Sequence, residues 1–283
     1  MHLGHARTAL VAWLRARTLG GAIVMRIEDI DLPRVREGSE KSILRDHEWL
    51  GLDWDEGPVN QSERFGRYEK VLDSLHRHVF YCTCTRKELQ EGRAPHGPPN
   101  AYPGTCRNGP KHPERDAATR FRAEGVRGFD DLLHGRVEYP LTDFVVRRSL
   151  DGLPAYQLAV VVDDHDMAIT EVVRGDDLLP STSLQIALYE ALGWQPPNWL
   201  HVPLVLGADG ARLAKRHGSV GVAEYRDAGW SAERVLGSLA HSLGLRDDDA
   251  PVDLETLRGS FSLDRISRQP VTLDPLTASD TQG

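Results

Sequence analysis

Near the start of the chain apolar residues recur at steps of three and four, at Ala6, Ala9, Leu10, Trp13 and Leu14. That spacing predicts an amphipathic helix with one apolar stripe. Gly20-Gly21 closes it, because glycine tolerates a left-handed cap. The run Ile23-Val24-Met25-Arg26-Ile27 predicts a buried strand that delivers Glu28, Asp29 and Asp31 at its carboxyl end. Pro33 stops regular structure. Helices are expected over Glu37–Leu50, ended by Gly51, and over Arg64–Arg77, with Tyr68, Val71, Leu72 and Leu75 on one side.

Residues 78–115 change character, holding every cysteine and many of the prolines and glycines, and read as an inserted module. Phe144–Arg148 and Ala155–Val162 then read as strands flanking an Asp151-Gly152 turn, the second ending on Asp163-Asp164. Ile169–Val173 reads as a strand leading into Arg174-Gly175-Asp176-Asp177. A helix is expected from an N-cap at Ser181 or Thr182 to Gly193. His201–Leu206 reads as a further strand, followed by a glycine turn and the basic cluster Arg212, Lys215, Arg216 and His217. A last helix starts near Ser231, and the tail beyond Asp274 is expected to fray. This alternation predicts an α/β fold with a mostly parallel, doubly wound sheet. Ligands bind such sheets at the carboxyl ends of strands, where Glu28, Asp163-Asp164 and Arg174 fall.

Composition narrows the function classes. The 283 residues allow one large domain or two small ones. Apolar residues make up 40% and charged residues 27%, which excludes wholesale disorder. No apolar run is long enough for a membrane helix, and Arg7, Arg15 and Arg17 interrupt the first apolar stretch, against a signal peptide. A cytoplasmic protein without a membrane partner is expected. A net charge of −8 gives no global basic signature, so any RNA contact would use a local basic face. Three cysteines, an odd number, point to metal rather than to a disulfide framework.

Three short motifs carry candidate chemistry. His2-Leu3-Gly4-His5 stands at a helix entrance, where unpaired N–H groups and the dipole favour phosphate and Gly4 admits a close approach. Its two imidazoles would face one side; alternatively they are two histidines on a chain end. Arg212 to Ser219 is a cationic, glycine-flanked stretch suited to clamping a polyphosphate, or else a solvated basic loop. Cys82, Cys84 and Cys106 suit a tetrahedral zinc; the fourth ligand stays open, with His96 and His112 as the chemically usual choices. The plain alternative is three unrelated buried cysteines.

HLGH followed by ARTALVAWL resembles the HIGH signature of class I aminoacyl-tRNA synthetases, and RLAKRHG resembles their KMSKS signature in its glutamyl form. RIEDID, HEWLGLDWDEGP, YQLAVVVDD and VVRGDDLLPSTSLQ resemble glutamyl-type enzymes block by block, over most of residues 2–245. Only about 65 residues follow the KMSKS-like stretch, too few for a helical anticodon-binding domain. The chain is therefore similar to the short glutamyl-queuosine tRNA(Asp) synthetase family.

The resemblance implies a class I synthetase-type Rossmann-like sheet with an inserted zinc-binding module and a short C-terminal helical region. Its parts would be residues 1–77 for the first part of the catalytic fold, 78–115 for the zinc module, 116–206 for the rest of the insertion and the second half of the catalytic fold, 207–274 for the KMSKS-like loop and C-terminal helices, and 275–283 for the tail. It implies ATP with Mg2+, glutamate, and the anticodon stem-loop of a queuosine-bearing tRNA(Asp) as ligands of a monomer. His2, Gly4, His5 and Lys215 would hold ATP, with His2, His5 and Lys215 acting in catalysis. Glu28, Tyr156 and Arg174 would hold glutamate. The family's CxC…YxxxC pattern makes Tyr102 the implied fourth zinc ligand beside Cys82, Cys84 and Cys106. Two departures stand out. Ala214 and Arg212 replace a usual serine and lysine, whereas Lys215 is kept. The family also begins with a strand bearing an RFAPSPTG-like segment, whose arginine and serine hold glutamate, and here Met1 directly precedes His2. A misassigned or truncated start is the expectation. The competing readings are a truncated glutamyl-tRNA synthetase-like paralogue and an inactive nucleotide- or tRNA-binding descendant.

Overall fold

The computed structural model describes residues 1–30, 38–92, 101–207 and 221–272. Helix α1 (Leu3–Thr18) buries Ala6, Leu10, Val11 and Leu14 completely, as its three-and-four spacing requires. Gly20 follows at φ 67. Strand β1 (Val24–Ile27) pairs in parallel with β2 (Glu56–Asn60). Between them α2 (Ser39–Leu50) ends on Gly51 at φ 75, and the Leu52 amide reaches back to the His47 carbonyl. Helix α3 (Phe65–Ser74) buries Tyr68, Val71 and Leu72.

The cysteine-bearing stretch contributes β3 (Val79–Cys82) and α4 (Arg86–Glu91), the latter started by a reciprocal Thr85–Glu88 capping box. Strand β3 pairs antiparallel with β4 (Ala118–Phe121), and β4 with β7 (Phe144–Arg147). The hairpin β5 (Val126–Asp131) and β6 (Gly135–Pro140) joins β9 (Asn198–Val202), which pairs in parallel with β8 (Glu171–Gly175). Helices α5 (Tyr156–Asp166) and α6 (Leu179–Leu192) pack on each other, and α6 makes the crossover from β8 to β9. The short pair β10 (Val205–Leu206) and β11 (Val271–Thr272) is also parallel. Helices α7 (Val222–Asp227), α8 (Ala232–Ser242) and α9 (Leu254–Ser260) complete the described chain, with Ser231 capping α8 as expected.

The expectation of a mostly parallel α/β sheet is met in part: β1–β2, β5–β9, β8–β9 and β10–β11 pair in parallel. Among the described residues the strands fall into four groups: the parallel pairs β1–β2 and β10–β11, the antiparallel β3–β4–β7 and the mixed β6–β5–β9–β8. Three local expectations also change. Ala155–Val162 is helical rather than extended: Leu158 through Asp164 are all buried, so the helix has no polar face to reveal its period, and its valines imitate a strand. Helix α6 starts on Leu178 with Pro180 in its first turn, not on Ser181 or Thr182; the Thr182 hydroxyl is engaged elsewhere. The run His201–Leu206 breaks at Pro203, which cannot donate to a ladder.

Two large apolar clusters result. One packs α1 against α8, α9 and the inner ends of β8 and β9; the other packs α3, α5 and α6 against the antiparallel strands. No described helix is long and apolar enough to cross a membrane.

Candidate active site

Helix α1, β1 and β8 converge on a cleft of about 970 Å³. Its lining takes in His2, Gly4 and His5 at the amino end of α1, Glu28 beyond β1, Tyr156 at the start of α5, and Arg174 on β8. These residues, distant in sequence, share one concave site. Lys215, with the rest of the basic cluster, lies outside the described residues. Among those residues β1 is paired only by β2 and β8 only by β9, and both strands line the cleft.

At the phosphate-suited end, His2 is the N-cap of α1 and its side chain accepts no helix N–H. The His5 and Ala6 amides close on the His2 carbonyl, so the helix dipole and the amides ahead of them are what another acceptor would meet. The His2 and His5 rings stack with centroids 3.9 Å apart. Gly4 is what permits this: a Cβ there would stand 3.1 Å from the His2 ring. The two imidazoles thus form one surface, as their three-residue spacing foretells.

At the other end Arg174 is buried beneath the cleft. Its Nε donates to His201 Nε2 at 3.1 Å, Nη2 to Thr182 Oγ1 at 2.6 Å, and Nη1 to the Tyr156 hydroxyl at 3.5 Å. The guanidinium also lies over the Trp199 ring, 4.8 Å from its centroid. Behind His201, Asp131 accepts from the ring Nδ1 at 2.7 Å and from the amides of His201, Leu133 and His134. Burial opposes charge on Asp131, but these donors outweigh it and hold the carboxyl below its usual range. Burial lowers the basicity of both His201 and Arg174. No local motif marks Asp131 or His201 as functional, and Thr182 reads only as a helix cap; the available signal is a histidine inside an apolar strand.

Asp163 and Asp164 stand on α5 rather than at a strand end, outside the cleft lining, and Asp164 acts on the site through its charge, which reaches Arg174 and Tyr156. Asp163 is fully buried and accepts from Gln61 at 2.7 Å, from Arg64 Nε at 2.7 Å and from the Tyr68 hydroxyl. Asp164 holds Arg26 Nη1 at 2.6 Å, and Arg26 also reaches Glu28 at 3.1 Å. Glu28 itself is exposed to the cleft. Arg7, 1% exposed, donates to the carbonyls of Pro203 at 2.9 Å and Ser242 at 3.1 Å, joining α1 to the β9–β10 link and to α8. Desolvation brings its pKa down to about 10.

A separate cluster forms in the cysteine stretch. The sulfurs of Cys82, Cys84 and Cys106 lie within 4.8 Å of one another. The Tyr102 hydroxyl is 3.3 Å from the Cys82 sulfur and accepts from the Cys106 amide at 2.8 Å. His112 instead turns Nε2 to Glu88 at 3.0 Å, and His96 lies outside the described residues. Burial works against a thiolate at Cys106, yet the Lys111 amide and neighbouring hydrogen bonds bring its pKa down to about 6. Burial beside the other sulfurs pushes Cys84 up to about 12. Three soft donors this close, crowded while protonated, fit one tetrahedral cation.

Comparison with known proteins identifies the family of the chain. Residues 1–257 match the family described as tRNA synthetases class I (E and Q), catalytic domain. The chain is 45% identical to a glutamyl-Q tRNA(Asp) synthetase of Symbiobacterium thermophilum, covering 100% of this chain and 95% of the relative. It is 48% identical to the corresponding protein of Nocardia farcinica, over 95% of this chain and 88% of that one. A glutamate–tRNA ligase of Geotalea uraniireducens is 44% identical over 97% of the chain, which spans 61% of that ligase's length. The crystal structure of a glutamate tRNA ligase from Elizabethkingia meningosepticum, in complex with its amino acid, superposes with a TM-score of 0.82 at 28% identity, over 98% of this chain and 65% of that one. The motif-bearing cleft and a family match over most of the sequence have one conclusion: the chain belongs to the class I tRNA synthetase (E and Q) catalytic-domain family.

Proposed function

We propose that this protein activates glutamate with ATP and transfers it to the queuosine base at the wobble position of tRNA(Asp). The observation that carries the reading is the shared cleft of His2, Gly4, His5, Glu28, Tyr156 and Arg174. Its volume of about 970 Å³ stands at the upper end of small-molecule sites, roughly 300–1,000 Å³, which suits two ligands side by side.

In this reading the glutamate carboxylate attacks the α-phosphorus of ATP, and pyrophosphate leaves. No side chain acts as nucleophile; the enzyme orients the reactants and neutralises charge. His2 and His5 line the phosphates at the α1 amino end, and Lys215 meets the leaving pyrophosphate. Mg2+ enters with ATP. Glu28 receives the substrate ammonium, and Arg174 with Tyr156 receives a carboxylate. Zinc held by Cys82, Cys84, Cys106 and Tyr102 is structural, because four protein ligands leave no open position. The queuosine acceptor is favoured by coverage: the chain spans 95% and 88% of two glutamyl-Q tRNA(Asp) synthetases but 61% of a glutamate–tRNA ligase.

Radiolabelled glutamate and ATP, incubated with tRNA(Asp) with and without queuosine, test the reading. Label should enter only the queuosine-bearing tRNA and should survive removal of its 3′ end. Label on the 3′ end of unmodified tRNA would overturn the choice of acceptor. For the metal, stoichiometric zinc should be found in the purified chain and lost in Cys82→Ser with Cys84→Ser; zinc retained by that double variant refutes the site.

A further inference from the structure

We propose that the buried pair Asp131–His201 is the positioning element of the amino-acid pocket. Its neutral imidazole takes the Arg174 Nε–H and so presents the remaining guanidinium donors to the cleft. The inference rests on the glutamate reading above and adds residues that do not touch substrate.

The proton positions follow from donor chemistry. An arginine can only donate, so a His201 Nε2 lying 3.1 Å from Arg174 Nε must be an acceptor. The ring proton then sits on Nδ1, where Asp131 accepts it at 2.7 Å. Asp131 is itself fixed by the amides of Leu133 and His134 on one oxygen and of His201 on the other. The pair therefore has one orientation and one tautomer.

The guanidinium responds to this frame. Of its five N–H groups, one goes to His201, one to Thr182 and one, over a long 3.5 Å, to Tyr156. Among the described residues one N–H on each terminal nitrogen remains, and Arg174 lines the cleft, so these are the donors an arriving carboxylate would meet. Trp199 beneath the plane fixes the tilt. Other groups around His201 do not replace its role. His134 Nε2 meets the His201 carbonyl and Asp176 acts through its field; the Thr182 hydroxyl lies 3.1 Å from the same Nε2, accepts from Nη2 and can turn its own proton to Nε2 or to the Leu178 carbonyl, so it too meets His201 as an acceptor. An imidazolium at His201 would set N–H against N–H and remove the acceptor, releasing Arg174 from its register.

The full chain can be tested by ATP–pyrophosphate exchange, with the KM for glutamate and for ATP measured separately. In His201→Met the Nε–H loses its buried acceptor, so glutamate KM should rise on the order of tenfold or more while ATP KM stays within about twofold. His201→Gln, whose amide oxygen can accept near the Nε2 position, should recover a large part of the loss. An unchanged glutamate KM in His201→Met, or equal increases in both KM values without rescue by glutamine, would overturn the proposal. A readout independent of activity covers variants that fail to fold. The 15N spectrum of the wild-type His201 ring should show Nδ1 protonated and Nε2 bare at neutral pH, and a protonated Nε2 sinks the idea. If the wild type shows no glutamate-dependent exchange, the glutamate reading falls, while the ring spectrum still decides whether His201 accepts from Arg174.

Discussion

Two buried ionic clusters both draw on α5, one through Asp163 and one through Tyr156, and they differ in what they leave unused. Around Asp163, Gln61, Arg64 and Tyr68 turn inward and both carboxylate oxygens are taken. Around Arg174, the acidic and imidazole groups are taken but guanidinium donors remain at the cleft. A closed network fixes elements to one another; an open one is prepared for something that arrives. Burial alone does not separate them, since Asp163, His201 and Asp131 are all buried. The residual hydrogen-bonding capacity does.

The sharpest way to break this contrast is to remove one member of each. Asp163→Ala strands three polar partners and should cost about 3–5 kcal/mol in denaturant unfolding, while glutamate activation per folded molecule survives. Arg174→Ala should do the reverse: kcat/KM for glutamate should fall on the order of a hundredfold or more in pyrophosphate exchange, with a smaller change in melting temperature. Arg174→Lys should not restore it, because the three donors of an ammonium diverge from a single nitrogen and cannot span His201, Thr182 and a bidentate carboxylate as the planar fork does. Similar losses of both stability and activity in the two alanine variants would erase the distinction.

Acidity gives a middle-sized effect. The basicity of His201 is lowered in the fold, so the unfolded chain binds its proton first as pH falls below the usual 6.5. The stability tied to this group is complete above that value and declines as pH drops toward its folded pKa. Wild type should thus lose more melting temperature between roughly pH 7 and pH 5 than His201→Gln does. The smallest expected change is Tyr156→Phe. Its hydroxyl meets Arg174 only at 3.5 Å, so without substrate the loss of one long hydrogen bond should leave stability within about 1 kcal/mol.

How far the sequence could be read follows the same division. Helices with one apolar face, α1, α2, α3 and α8, are legible from spacing, and their ends from Gly20, Gly51 and Ser231. Helix α5 is not, because burial on every side erases the 3.6-residue signal that identifies a helix. The start of α6 misleads for a related reason: Thr182 looks like a cap but serves Arg174. In the site, Arg174 and Tyr156 are named through resemblance, and the structure brings them together with His2, His5 and Glu28. Asp131 and His201 stand 70 positions apart, and no local pattern joins residues that meet only through sheet register.

Arg7 carries a different consequence. Held between two backbone carbonyls, with a pKa that burial brings only to about 10, it stays charged throughout the physiological range. Protonation chemistry therefore has no handle on the seam between the first helix and α8. Side-chain replacement at its partners does not reach it either, since Pro203 and Ser242 contribute main-chain oxygens that every amino acid possesses. The joint depends on the identity of a single residue and is indifferent to the two it grips.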